Sequence, residues 1–149
     1  MTPFPIRSLA LTLLLAAVAG SAGAAPLIKE DEARLPAAAG ALTTRGITRG
    51  PAIKLVSPDP ALGAAKSPFT FKVAFEPRGG AKIDPSSVTV TYLKATPVDL
   101  LPRVKAGLSA GGIDLAGAEV PPGEHQIRVT LQDSEGRQTS TVLQLNVGK

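Results

Sequence analysis

From residue 52 onward, apolar and polar residues alternate with a period of two. Phe69, Phe71, Val73 and Phe75 alternate with Thr70, Lys72, Ala74 and Glu76, and Val88, Val90 and Tyr92 alternate with Thr89 and Thr91. Further along, Ile127, Val129 and Leu131 alternate with Gln126, Arg128, Thr130 and Gln132, and Leu143, Leu145 and Val147 with Gln144 and Asn146. Two shorter runs place Ile53 and Leu55 around Lys54, and Ile113 and Leu115 around Asp114. Alternation puts every second side chain on one face, so each run is predicted as a strand with one buried and one solvated face. No stretch of this region shows a helical period. A weaker strand is predicted over residues 98–104, where Pro97 and Pro102 lack the N–H that a ladder needs and so confine it to a sheet edge.

The breaks between the runs carry turn residues. Ser57-Pro-Asp-Pro60, Pro77-Arg-Gly-Gly80, Asp84-Pro85, Pro121-Pro-Gly123 and Asp133-Ser-Glu-Gly136 supply fixed φ, side-chain-capped turns or glycine at positive φ. About seven short strands spaced by such turns predict an antiparallel β-sandwich over residues 51–149. The series Ile53-Lys-Leu-Val-Ser-Pro58, Phe69-Thr-Phe-Lys-Val-Ala-Phe75, Ile83-Asp-Pro-Ser-Ser-Val-Thr-Val90 and Val120-Pro-Pro-Gly-Glu-His125 resembles the bacterial immunoglobulin-like and fibronectin type III-like domains of exported proteins. The resemblance covers residues 52–147 and implies an immunoglobulin-like fold. It implies no activity, because the shared motifs are turns and core positions, and many such domains serve as adhesion, spacer or binding modules.

The N-terminal third has a different pattern. Arg7 precedes an apolar run at residues 9–19, and Ala22-Gly-Ala24 follows. Charge, apolar core and small-residue cleavage site in that order predict a secretory signal peptide over residues 1–24, cut after Ala24. The run falls short of the ~20 residues that a membrane-spanning helix needs, so no stable membrane insertion is expected after cleavage. Residues 25–50 offer few groups that could bury area and are expected to form a flexible arm, with a short helical turn at 30–35 ended by Pro36.

Composition removes several function classes. The absence of cysteine excludes disulfides, thiol catalysis and cysteine-based metal sites. The net charge of +4, one unit of it from Arg7, is spread singly along the chain, and there is no tryptophan and one tyrosine. Nucleic-acid binding needs a basic stripe, often with stacking rings, and is not expected.

Three patterns touch on chemistry. Gly107-Leu-Ser-Ala-Gly111 matches the nucleophile-elbow pattern, but that elbow belongs between a strand and a helix, which this region does not provide. His125 is the single histidine and is in phase with Ile127 and Val129, so it is expected to face the core. Its place two residues after Gly123 is similar to the tyrosine corner of immunoglobulin-like sandwiches, which implies a structural ring bonded to upstream backbone. Ser57-Pro-Asp-Pro-Ala-Leu-Gly63 resembles the start of small periplasmic copper-binding sandwiches, but those use several histidines and sometimes methionines as ligands, and the region after the leader has one histidine and no methionine. The turn acids Asp59, Asp84, Asp133 and Glu135 are expected to be solvated. No catalytic residue, metal or cofactor is expected.

Three readings of function follow. The first is a non-catalytic protein-binding or assembly module of the cell envelope, periplasmic or secreted, whose partner is another envelope or extracellular protein. The others are a carbohydrate-binding accessory domain and a small secreted hydrolase. For the first, the candidate partner-binding edge is Val98, Leu100, Leu101 and Arg103, since alternation cannot hide both leucines.

Overall fold

A computed structural model describes residues 26–39 and 49–149. Within them the alternating runs become strands whose apolar rows face one another. In β3 (Phe69–Glu76), Phe71, Val73 and Phe75 are buried while Thr70, Lys72 and Glu76 are exposed. The same alternation shapes β1 (Ala52–Ser57), β4 (Thr89–Tyr92), β7 (Gly112–Ala118), β8 (Gly123–Gln132) and β9 (Gln138–Gly148). Three further strands are two residues long: β2 (Ala65–Lys66), β5 (Val98–Asp99) and β6 (Leu108–Ser109).

The strands form two sheets, ordered β1-β3-β7-β6 and β2-β9-β8-β4-β5. Their inner faces enclose one core in which Tyr92, Phe71, Leu100, Ile127 and Leu131 are fully buried. The two packed sheets make an all-β sandwich. The strand count exceeds the predicted seven because β2 and β6 are too short for alternation to register. One pairing also departs from the antiparallel rule, since β2 runs parallel to β9 through Ala65–Val147 and Lys66–Gly148.

The strand predicted over 98–104 is shorter than expected. Only Val98–Asp99 is strand, on the edge of the five-stranded sheet, and Leu101–Val104 forms a helical turn, α2. The Asp99 carboxylate accepts from the Leu101 N–H at 2.9 Å, and Pro102 stands in the first turn, where its fixed φ suits a helix and no N–H is needed. The turn carries the chain from one sheet to the other. Gly107, just after it, packs so close to the Asp114 carbonyl that a Cβ would collide with it.

Part of the N-terminal arm is laid against the sandwich. Leu27 and Ile28 are buried in the core, at 1% and 2% exposure. Both N–H groups donate to the Glu119 carbonyl at the end of β7, at 2.9 and 3.3 Å. The predicted helical turn is present as α1 (Glu30–Ala33), with Glu32 accepting from the Lys29 N–H. Beyond it the Pro36 carbonyl accepts from the Ala95 N–H at 2.8 Å, and Ala37 bridges Lys94. Residues 26–39 therefore strap one side of the sandwich, from the end of β7 to the end of β4. The predicted signal peptide at 1–24, and residues 25 and 40–48 of the arm, lie outside the described residues.

Candidate functional site

His125 stands near the start of β8 with both ring nitrogens engaged. Nε2 lies 2.7 Å from the Pro121 carbonyl, which can only accept, so Nε2 carries the proton. That leaves Nδ1 to accept the Tyr92 hydroxyl at 2.8 Å. The imidazole is thus a neutral bridge between an upstream carbonyl and a buried phenol. Burial holds its pKa below the ordinary 6.5, against the pull of the Pro121 hydrogen bond. Burial, with the nearby Glu32 charge, pushes Tyr92 up to about 12. Ser109, the serine of the elbow-like pattern, lies on β6 in the other sheet and donates to the Gly112 carbonyl.

The turn acids have local partners. Asp59 accepts from the Ala61 N–H, and Asp84 from the Ser86 N–H and hydroxyl. Glu135 pairs with Arg137. Asp133 is not solvated as the sequence suggested. It is buried between β8 and β9, accepting from the Arg137 and Glu135 N–H groups and from Arg137 Nε. Burial pulls its carboxyl upward, but these donors outweigh it and hold the pKa below the ordinary carboxylate range. Among the described residues no ring is exposed: Phe71, Phe75 and Tyr92 are buried and Phe69 is half-buried.

Of the candidate edge residues Val98, Leu100, Leu101 and Arg103, Leu100 is closed to a partner. Leu100 is fully buried, and its N–H donates to the Val90 carbonyl. Leu101 and Val98 are half-buried against the core. Arg103 grips the strap: Nη1 and Nη2 each lie 2.6 Å from a Glu32 carboxylate oxygen, and Nη1 reaches the Leu27 carbonyl at 3.0 Å. The Arg103 hydrogen bonds hold Glu32 below its ordinary pKa. Lys94 adds a second clasp, donating to the Ala33 carbonyl at 3.0 Å while standing over the Tyr92 ring. The chain's own N-terminal segment occupies this side. Leu101, the leucine nearer the surface, is half-buried because α2 turns the segment inward after two residues of strand.

The opposite side of the same sheet differs. β9 pairs with β8 along its length, from Gln138–Gln132 to Val147–Gly123. On its other side the neighbouring strand, β2, reaches only Val147 and Gly148. Near the start of β9, Gly50 fits against Thr139 so closely that a Cβ would lie 2.5 Å from the threonine hydroxyl. Among the described residues no strand pairs with β9 between these points, although β1 of the other sheet lies beside it.

Backbone direction on β9 follows from β8. The Gln126 and Gln132 carbonyls accept from Leu93 and Asp84, so the even-numbered residues of β8 bond toward β4. The odd-numbered residues of β8 therefore bond to the odd-numbered residues of β9. Ser140, Val142 and Gln144 are left with N–H and C=O pointing to the open side. Sequence reasoning placed a strand here but missed its openness, although one signal was visible: residues 138–148 contain no charge and no proline.

A groove of about 440 Å³ lies beside this window, on the outer face of the five-stranded sheet. Its floor is polar, built from the cross-strand pairs Gln126–Gln144 and Glu124–Asn146. The strap residues Ala37 and Ala38 and the 58–63 turn line it as well. Leu62 on that turn is 84% exposed. No family model, curated protein or solved structure matches this chain.

Proposed function

We propose that this chain is an exported, non-catalytic immunoglobulin-like module that docks a protein partner of the cell envelope along the open side of β9. The observation that carries the reading is the contrast among strand borders. Natural edges are guarded by charge, proline, bulges or brevity. β1 carries Lys54, paired with Glu76 at 2.9 Å, and a bulge between Leu55 and Ser57. β2, β5 and β6 are two residues long, and Pro97 and Pro102 flank β5. β9 is eleven residues long and has none of these guards. The N–H and C=O groups of Ser140, Val142 and Gln144, which among the described residues have no strand beside them to bond to, fit the addition of an extended strand. The signal-peptide pattern supports export, and the commitment of both His125 nitrogens within the fold supports a module without acid–base chemistry.

The test is site-specific photo-crosslinking in the living host, with the probe at position 142 or, for comparison, at position 99. An envelope protein trapped from 142 and not from 99 is the expected result. Adducts from 99 alone, or from neither position, would overturn the reading.

A further inference from the structure

We propose that the partner on β9 is a second copy of this chain, paired antiparallel about a two-fold axis at Val142. The inference rests on the reading of β9 as a docking edge and names its occupant. Three features lead to it.

The first is spacing. The open stretch is bounded by Gly50 against Thr139 at one end and by β2 against Val147 at the other. The residues between these bounds that bond away from β8 and lie clear of β2 are Ser140, Val142 and Gln144, and the middle one is Val142. Pairing about that residue sets Ser140 opposite Gln144, Thr141 opposite Leu143, and Val142 opposite itself. An axis at Leu143 would set Ser140 opposite Asn146, which borders β2, and an axis at Thr141 would set Gln144 opposite Gln138, which borders Gly50.

The second is backbone polarity. Ser140, Val142 and Gln144 are the residues whose N–H and C=O point outward, and this register sets them opposite one another. Each such pair can exchange two N–H···O bonds. The register also keeps even residues on the outer face and odd residues on the core face, so the pleat continues across the junction.

The third is charge. A two-fold axis sets a residue against its own copy, so a charge near the axis repels itself. Residues 138–148 carry none, whereas the neighbouring β8 carries Glu124 and Arg128. A docking strand for an unlike partner has no need of this neutrality, and a self-pairing strand does.

The experiment is sedimentation equilibrium of the full chain, purified after expression with its own leader, over a wide concentration range. The wild-type chain should form a concentration-dependent dimer. Val142→Lys and Val142→Glu, each alone, should weaken it by about tenfold or more, since like charges meet at the axis. An equimolar mixture of the two should restore it, because lysine then faces glutamate. Val142→Pro removes one outward N–H and should also abolish the dimer, with melting curves showing that all variants fold. A wild-type chain that stays monomeric, or a mixture no tighter than its components, would overturn the proposal. If that monomer still crosslinks a different envelope protein from position 142, the second copy is wrong and the docking edge stands. If it crosslinks nothing, both fall.

Discussion

The two lateral borders of the five-stranded sheet solve the same physical problem in opposite ways. At β5 the strand is cut to two residues and the chain turns into α2, from which Arg103 holds the strap through Glu32 and Leu27. At β9 the strand runs for eleven residues, and among the described residues one side has no paired strand until Val147. Both borders belong to one sheet and share one core. The difference teaches that an edge cannot be judged from its own sequence. The segment with two adjacent leucines is closed, and the segment of threonine, valine and amides is open.

The largest expected effect comes from forcing charge into the closed border. Leu100 has no exposure, so Leu100→Glu should cost about 4 kcal/mol or more and leave no cooperative melt. An exposed docking residue would tolerate the same change, so a normal melting curve would break the comparison.

The strap comes next. Leu27→Ala deletes a buried side chain and should cost about 2–4 kcal/mol, read as a fall in melting temperature. A neutral result would mean that residues 26–39 do not belong to the core.

A pair of proline substitutions sharpens the other border. Thr141 turns its N–H toward β8 and Val142 turns its own outward, so the two should behave differently. Thr141→Pro breaks the β8–β9 ladder and should cost roughly 3 kcal/mol, while Val142→Pro should cost less than about 1 kcal/mol. Equal losses in denaturant titrations would contradict the derived backbone direction.

A modest effect is expected at the clasp, and it depends on pH. Arg103→Gln should cost about 1–2 kcal/mol at neutral pH, because the pair is only partly screened from water. The Glu32 pKa is lowered from 4.5, so the clasp contributes fully above that value and is lost as the pH falls through the lowered one. Arg103→Gln should remove that acid step. It should leave a second step that begins as the pH falls below about 6.5, where the unfolded chain protonates its histidine more readily than the buried His125 does. Melting temperatures of both proteins across that range check the order of the steps.

The legible parts of the fold are those written in local periodicity. The runs around Phe71, Val90, Ile127 and Leu145 declare strands because alternation is a property of consecutive residues. His125 was legible for the same reason, since its phase with Ile127 placed the ring inward, where it meets Tyr92 and Pro121. The strap was not, because Leu27 and Ile28 are two apolar residues in a polar, small-residue stretch and show no period. Their burial depends on a gap between two sheets built from residues far along the chain. The closure of the 98–104 segment likewise depends on Glu32, seventy-one positions from Arg103. The openness of β9 is a matter of topology. It arises because the chain leaves β1 in one sheet and rejoins β9 only at β2, and its one local trace is the lack of charge and proline over 138–148.

The most direct measurement is residue-resolved amide hydrogen exchange along β9, at low and at high protein concentration. Dilute protein should show alternation, with Thr141, Leu143 and Leu145 protected by β8 and Ser140, Val142 and Gln144 exchanging rapidly. At high concentration the rapid three should slow while the other three change little. Protection of Ser140, Val142 and Gln144 at every dilution would contradict the account, because the border would then be occupied within the same chain.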